Sequence, residues 1–177
     1  QRSKAKMVSY GLAYGMEAFG LGQRLGIRTD EAATILDAYF AAFPNVQSYM
    51  DDTVAQAKSR GYTETLFGRR RRIPELDSSN FRIRQAGERQ VMNAAIQGLA
   101  ADIFKIALIR IDQALSDSAL ASRLVLQVHD EVLVESPLNE VEVVDALVLQ
   151  IMEQATKLDV PLAVNSAWGS TWAEAKS

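Results

Sequence analysis

Residues 124–135 read Leu-Val-Leu-Gln-Val-His-Asp-Glu-Val-Leu-Val-Glu, and this stretch decides the fold class. Two runs rich in β-branched and aliphatic residues flank a polar centre. This pattern predicts two antiparallel strands with His129, Asp130 and Glu131 at or near the turn. Helical patterns dominate the residues that precede it. Because a helix-rich first half is followed by a strand-bearing second half, the sequence predicts an α+β architecture.

The residues on either side of this hairpin read mostly as helices separated by turns. A first helix is expected from Arg2 to about Tyr10, ending at Gly11, and another from an N-cap at Thr29 to about Ala42. The further expected elements are a helix beginning at Pro44 and ending at Gly61, a small hairpin with strands over 62–66 and 71–74, helices over 80–99 and 101–117 with a break near Gly98, a helix from about 139 to 157, and a strand over 161–167. A domain boundary is expected near residue 80.

Composition excludes several classes of protein and of site. The chain has 177 residues, 48% of them hydrophobic and 23% charged, which is typical of a folded chain with a sizeable core. The absence of cysteine excludes disulfides, thiolate metal sites and a cysteine nucleophile. The only histidine is His129, which argues against a multi-histidine zinc site.

The ends of the sequence and its hydropathy bear on location. No apolar run is long enough to span a bilayer, and no charged-then-apolar leader opens the chain. We therefore expect a cytoplasmic protein without membrane association. The chain opens at Gln1 in mid-pattern, so we also expect it to be a piece of a longer protein.

Charge is unevenly distributed, although the net charge is only −3. Residues 1–28 carry five basic side chains and one acid, and residues 58–89 carry nine basic side chains and four acids. Residues 112–153 carry nine acids and one basic side chain, Arg123. Such a chain can bind a polyanion through its basic stretches and a cation through its acidic stretch. Solvated helix faces explain the same distribution equally well.

Two sets of polar side chains recur at four-residue spacing, which places each set along one helical stripe. The first set joins cations to aromatic rings and would suit the phosphates and base of a nucleotide; its members are Arg2, Lys6, Tyr10 and Tyr14. The second set offers hydrogen bonds of the kind used in a DNA groove; its members are Arg89, Asn93 and Gln97. From spacing alone, ordinary surface or packing faces explain both sets.

Asp130 and Glu131 are adjacent acids within an apolar hairpin. Such a pair is disfavoured unless it is hydrated, hydrogen-bonded or occupied by a cation. Carboxylate oxygens suit Mg²⁺, which usually binds one or two carboxylates together with phosphate oxygens and water. The alternative is a plain acidic turn. His129 would then be either a DNA contact or a histidine packed beside the turn, and the arginine run 69–72 either a phosphate contact or a solvated run.

Taken together, these segments resemble the fingers and distal palm of family A DNA polymerases, most closely the bacterial members. The family's nucleotide-binding motif, Arg-x3-Lys-x3-(Phe/Tyr)-Gly-x2-Tyr-Gly, is matched in full by Arg2, Lys6, Tyr10-Gly11 and Tyr14-Gly15. Three further segments resemble the family in the same order: Thr65 to Arg71, Glu88-Arg89 through Asn93-Ala94 to Gln97-Gly98, and Gln127 to Glu131. The resemblance extends to Trp172, and it assigns residues 1–80 to the fingers and 81–177 to the distal palm.

The resemblance implies a role for each nucleotide-side residue. Arg2 and Lys6 would grip the incoming triphosphate, and Lys6 is also the candidate for protonating the leaving pyrophosphate. Tyr10 would stack near the incoming sugar and base. In this family a tyrosine at that place goes with easier acceptance of dideoxynucleotides. Tyr14 would occupy the base-pair pocket and help to exclude ribonucleotides and mismatches.

The resemblance also implies the partners of the chain, which are primer–template DNA, deoxynucleoside triphosphates and two Mg²⁺ ions in the complete site. Asp130 would bind these ions, and Glu131 would be a nearby, less critical carboxylate. The primer–template contacts near the growing end would be Arg89, Asn93, Gln97 and His129. The implied location is the bacterial nucleoid.

The chain departs from the family at Ser3, Ser9 and Arg72, none of which bears on metal chemistry. The family's other metal-binding aspartate and its thumb lie upstream of the segments matched here. We therefore expect the chain to be inactive alone and to need that upstream segment. The alternatives are a non-catalytic nucleotide- or nucleic-acid-binding remnant, which lacks the aspartate altogether, and a structural helical adaptor, which leaves the ordered motifs unexplained.

Overall fold

The computed structural model describes residues 2–13 and 15–176, and in the first helix the side chains of residues 2–4 and 13 fall outside that description. The chain divides into two compact units, Gln1–Leu99 and Ala100–Ser177. The described residues are mostly helical and include two small antiparallel hairpins, so the predicted α+β class is confirmed. The assignment of residues 1–80 to fingers and 81–177 to palm stays a prediction.

The elements follow one another along the chain in this order: α1 Arg2–Ala13, α2 Ala18–Leu25, α3 Thr29–Ala42, α4 Pro44–Arg60, β1 Tyr62–Glu64, β2 Arg70–Arg72, a 3₁₀ turn Pro74–Asp77, α5 Phe81–Asp117, β3 Arg123–Val128, β4 Glu131–Glu135, a 3₁₀ turn Leu138–Glu140, α6 Val141–Glu153 and α7 Trp172–Ala175.

The first helix runs further than predicted, because Gly11 lies inside α1 and does not end it. A Cβ at Gly11 would lie 3.1 Å from the Met16 sulfur, so the missing side chain makes room for Met16 to pack. The left-handed backbone that follows the helix is supplied by Gly15, whose φ is +67°. This value favours glycine, which has no Cβ to clash.

The boundaries of α3 and α4 were predicted well, whereas helix α2, Ala18–Leu25, was not predicted. Helix α4 begins with Pro44 in its first turn and ends at Gly61, whose φ is 75°, as expected of these two residues. Helix α3 begins at Thr29, but its N-cap is Arg28, one residue before the predicted cap. Arg28 has extended backbone, and its guanidinium is paired with Asp30 at 2.7 Å.

Helix α5 is continuous through Gly98, so the predicted break there is wrong. Gly98 serves a close contact with the first hairpin: a Cβ at this position would lie 2.6 Å from Cγ2 of Thr65. The guanidinium of Arg69, in the loop of that hairpin, donates to the Gly98 carbonyl over 2.6 Å. Glycine here therefore lets a hairpin approach the helix backbone.

The first hairpin is shorter than predicted but has the predicted partners. Strands β1 and β2 pair antiparallel from Tyr62↔Arg72 to Glu64↔Arg70. The loop closes with Gly68, whose φ is +81° and whose amide donates to the Thr65 carbonyl over 2.9 Å. The core beside this hairpin consists of the buried residues Ala57, Ile73, Leu76 and Val91, with Val54 packed against them.

The second unit contains the hairpin on which the fold class was predicted. Strands β3 and β4 pair antiparallel, with a bulge between Leu124 and Leu126. Its core consists of the buried residues Ile111, Leu115 and Val144, against which Val132, Val134, Leu147 and Ile151 pack. The α5 segment and α6 therefore cover the hairpin.

Two predictions in the second unit were wrong. The helix expected over 139–157 is a 3₁₀ turn followed by α6, which ends at Glu153. The strand expected over 161–167 is irregular, because each sheet found in the described chain holds two strands only and this segment pairs with neither. Its alternating sequence thus meets no backbone partner within residues 15–176.

Substituting Gly98 should reveal the cost of the close contact with the first hairpin. We expect Gly98→Ala to lower the free energy of unfolding by about 1–3 kcal/mol, since the new Cβ overlaps Thr65 and the surrounding structure must shift. Urea unfolding of the chain, followed by circular dichroism, measures this change.

The matched control is Gly20→Ala, another helical glycine, in α2. The nearest atom to its added Cβ is Cγ of Met16 at 3.1 Å, so Met16 needs to give by only a few tenths of an ångström, far less than the overlap at Gly98 demands. Here the helix propensity of alanine should leave stability unchanged or raise it by up to about 1 kcal/mol. Equal stability of the two variants would contradict the contact assigned to Gly98.

Candidate functional site

Helix α1 presents a cation and an aromatic ring side by side at its surface. Lys6 and Tyr10 are four residues apart, and the Lys6 ammonium lies 5.5 Å from the centre of the Tyr10 ring. Both side chains are exposed, Tyr10 by 54%. They are therefore available together to a ligand with a charged and a flat part. The side chain of Arg2 and all of Tyr14 lie outside the described residues.

Helix α5 carries the second predicted stripe. Arg89 and Asn93 are half-buried and Gln97 is exposed. The Oδ1 atom of Asn93 is buried and accepts no hydrogen bond from the described part of the chain. A buried acceptor without a donor is costly, so Asn93 marks a place on the stripe where the described residues leave a hydrogen bond unmade.

Sequence reasoning missed Gln85, which lies one turn before Arg89 on the same stripe. Its side-chain amide donates to a carboxylate oxygen of Glu17, in the connection between α1 and α2. The four-residue spacing 85, 89, 93 could have indicated it. This bond joins the connection after α1 to α5, one turn before Arg89, within one unit.

The arginine run lies on the first hairpin, where most of its members already have protein partners. Arg69 donates to the Gly98 carbonyl, and Arg71 to the side chain of Gln90 over 3.2 Å. Arg70 pairs with Glu64, which raises the pKa of the Arg70 guanidinium through their hydrogen bond and opposite charges. These contacts orient the arginines along the hairpin.

The turn of the second hairpin consists of His129 and Asp130. Strand pairing ends at Val128↔Glu131, which leaves these two residues as the loop. His129 has a φ of 55°, the left-handed conformation that two-residue hairpin loops require at their first position. Both residues are exposed, so the loop presents an imidazole and a carboxylate to solvent.

The two adjacent acids of this turn have different surroundings. Glu131 pairs with Lys176, whose ammonium lies 3.1 Å from its carboxylate and 4.8 Å from the centre of the Trp172 ring. No hydrogen bond or ion pair within the described residues engages the Asp130 carboxylate. Asp130 is therefore the better placed of the two for a cation.

The described residues contain no complete metal site. Nowhere among them do three or more histidine, aspartate or glutamate side chains cluster in a way that could hold an ion. A single exposed carboxylate, with a second beside it, fits Mg²⁺ when the remaining ligands are phosphate oxygens, water or other carboxylates. The donor set at Asp130 thus suits a shared magnesium site.

The far end of the second hairpin is fixed by Glu140. Its carboxylate accepts hydrogen bonds from the amides of Ala121 and Ser122, at 3.1 and 3.0 Å, and from the Ser122 hydroxyl at 2.5 Å. Ser122 is buried, and its Oγ lies 2.8 Å from that of Ser136. These bonds join the residues just before β3 and just after β4, so the base of the hairpin is held shut.

The predicted residues therefore fall into two groups that are described separately. The α1 and α5 stripes belong to the first unit and the turn at residues 129–131 to the second. No helix within residues 2–13 and 15–176 is both long and apolar enough to cross a membrane.

Comparison with known proteins gives a consistent result. The family model for DNA polymerase family A matches residues 1–174. The chain is 53% identical over 171 residues to DNA polymerase I of Mycobacterium tuberculosis, covering 97% of this chain and 19% of that protein. It is 49% identical over 175 residues to DNA polymerase I of Bacillus subtilis, covering 99% of this chain and 20% of that protein. The chain thus spans about a fifth of the length of these relatives.

A solved structure is similar to this chain over nearly its whole length. It is the POL domain of Pol1 from M. smegmatis, in complex with DNA primer-template and dNTP. The TM-score is 0.96 at 49% sequence identity, and the match covers 99% of this chain and 31% of that one.

The Glu140 contacts predict a pH-dependent contribution to stability. Hydrogen bonds from Ser122, first from its side chain, and from the Ala121 amide hold the pKa of Glu140 below its ordinary value of 4.5. The contribution is complete above that ordinary value. It is lost as pH falls toward the lowered pKa, because the unfolded chain then binds a proton that the folded chain resists.

We expect Glu140→Gln to be less stable than the parent at neutral pH and to approach it in stability as the pH falls below 4.5, the ordinary value, toward the lowered pKa of Glu140. Urea unfolding at several pH values measures this difference. Glu142→Gln is the control, since no hydrogen bond or ion pair within the described chain engages that exposed residue of α6. A stability difference that does not change with pH would contradict the assigned role of the Glu140 carboxylate.

Proposed function

The chain belongs to DNA polymerase family A, and from this membership we propose that it forms the fingers and distal palm of a bacterial DNA polymerase. The reaction is template-directed DNA synthesis, in which the primer 3′ hydroxyl attacks the α-phosphate of a deoxynucleoside triphosphate and pyrophosphate leaves. The observation that carries the proposal is the family match over residues 1–174, the range in which the four motifs lie in order. The relatives in Mycobacterium tuberculosis and Bacillus subtilis are about half identical over nearly the whole chain.

On the nucleotide side, the α1 surface would bind the incoming triphosphate. Arg2 and Lys6 supply positive charge where negative charge builds on the leaving pyrophosphate, and Lys6 donates a proton to it. Tyr10, adjacent to Lys6 and exposed, lies against the sugar and base. Tyr14 shapes the pocket for the new base pair.

On the DNA side, the α5 stripe would contact the primer–template near its growing end. Arg89 and Gln97 donate hydrogen bonds to phosphate or base edges. Asn93, half-buried between them on the same stripe, contributes its side-chain amide. His129 contributes from the hairpin turn. The complete enzyme would act in the bacterial cytoplasm, at the nucleoid.

Asp130 would be the metal ligand of this chain and Glu131 the auxiliary carboxylate. The ion pair of Glu131 with Lys176 supports this ranking, because it occupies one acid and leaves the other available. Bound Mg²⁺ ions lower the pKa of the primer hydroxyl and neutralise charge on the leaving oxygen. Since the chain spans about a fifth of its relatives, we propose that an upstream segment supplies the second aspartate and the thumb.

Primer extension tests the proposal directly. The 177-residue chain alone, with Mg²⁺ and four deoxynucleotides, should not extend a primer, and adding the upstream polymerase segment of a relative should restore extension. Persistent inactivity of the combined segments would favour a non-catalytic remnant. Extension by the chain alone would mean that one of its own carboxylates, such as Asp102, completes the site.

In the active combination, Asp130→Ala should slow extension by about a thousandfold or more, since metal-borne charge stabilisation is worth several kcal/mol. Binding of primer–template DNA should change little. Asp159→Ala, which removes an exposed aspartate of the same unit, serves as the control and should extend normally. Turnover retained in Asp130→Ala would remove this residue from the metal site.

A second prediction concerns the sugar of the nucleotide. Tyr10→Phe should lower the incorporation of dideoxynucleotides relative to deoxynucleotides by about fivefold, the worth of one hydrogen bond. Competition between the two nucleotides in single-turnover extension measures the ratio. Tyr49→Phe, at another exposed tyrosine, should leave the ratio unchanged. An unaltered ratio in Tyr10→Phe would exclude its place beside the sugar.

A further inference from the structure

The turn after α1 packs directly on a side chain of the α5 stripe. Gly15 has a φ of +67°, and a Cβ built on it would lie 2.9 Å from Cγ of Arg89 and 2.6 Å from the terminal methyl of Met92. Real Cβ atoms essentially never lie within 3.0 Å of such an atom. Any larger residue at position 15 would therefore overlap the Arg89 side chain unless one of the two moves.

The two neighbours differ in how easily they could move. The Met92 methyl is the far end of a flexible side chain and can rotate away. Cγ of Arg89 is only two bonds from the backbone, so it moves only by a change of χ1, which redirects the whole guanidinium. Arg89 is therefore the side chain whose direction depends on the absence of a Cβ at residue 15.

Hydrogen bonds hold the turn to α1 on one side and to α5 on the other, which opposes its withdrawal from α5. The Gly15 amide donates to the Leu12 carbonyl over 2.7 Å, and the Met16 amide donates to the Gly11 carbonyl over 2.9 Å. On the other side, the Gln85 side chain donates to Glu17. A group added at residue 15 is thus pressed toward Arg89.

We propose that Gly15 is a positioning residue that sets the direction of Arg89 toward the primer–template. This inference rests on the proposed function, in which Arg89 contacts DNA and α1 binds the nucleotide. The connection that ends the nucleotide-binding helix then also supports a DNA-binding side chain. A movement of α1 on nucleotide binding would therefore shift the Arg89 side chain through its contact with Gly15.

The test measures the dissociation constant for a labelled primer–template by fluorescence anisotropy in the complete polymerase, without nucleotide. The four variants are Gly15→Ala, Arg89→Ala, their combination, and Gly26→Ala as the matched control. Gly26 has the same φ of +67° and nothing within 4 Å of an added Cβ. It reports the backbone cost of alanine without any contact with Arg89.

We expect Arg89→Ala to weaken binding about tenfold, as for other arginine contacts to DNA. Gly15→Ala should weaken it about threefold or more, and Gly26→Ala should bind as the parent does. In the Arg89→Ala background, Gly15→Ala should have no further effect, because two residues that act through one contact are not additive. A purely structural defect would instead persist in that background.

The remaining outcomes distinguish a failure of the proposed DNA contact of Arg89 from a failure of the positioning role of Gly15. If Arg89→Ala binds DNA normally, the role of Arg89 in the proposed function is wrong. If Arg89→Ala weakens binding but Gly15→Ala matches Gly26→Ala, only the positioning role is overturned. Should Gly15→Ala fail to fold, Glu17→Ala, which removes the bond to Gln85 and adds no atoms, should weaken binding about twofold, and parental binding by Glu17→Ala would overturn the role.

Discussion

Close approach of loops to the backbone of α5 is the constraint on which the first unit depends. At Gly87 a Cβ would lie 3.0 Å from Cβ of Glu75 and 3.2 Å from the Leu76 amide, and at Gly98 it would meet Thr65. Each glycine costs helix propensity, up to about 1 kcal/mol. This cost is offset because the first hairpin and the 3₁₀ turn after it then lie directly on the helix. Val91, which lies between the two glycines in sequence, is fully buried there.

The second unit presents a carboxylate at a hairpin turn. A two-residue loop exposes Asp130, a bulge and a covered face fix the strands, and Glu140 closes the opposite end. Without such bracing, a two-stranded hairpin is marginally stable in water. The carboxylate is therefore held by contacts that lie at the other end of the same hairpin.

Much of this architecture could be predicted from sequence, because local chemistry determines it. Proline at the start and glycine at the end of α4, and the alternating strands around residues 129–130, follow from backbone preferences of single residues. The α+β class and the helical stripes follow from periodicity. Gly98 was misread because its purpose is a contact with Thr65, thirty-three residues away, which no local pattern reveals. The strand expected over 161–167 failed for the same reason, since a strand needs a partner. The contact of Gly15 with Arg89 likewise joins distant parts of the sequence, so no local pattern reveals it.

The contacts of the arginine run have a kinetic consequence. Glu64 neutralises Arg70, whereas Arg71 bonds to an uncharged oxygen of Gln90 and so keeps its full charge. One of its guanidinium donors is committed to the protein, while its electric field still extends into solvent. Such a charge attracts a polyanion over about a Debye length. Arg71 would therefore contribute more to the rate at which a polyanion approaches the hairpin than to the lifetime of the contact.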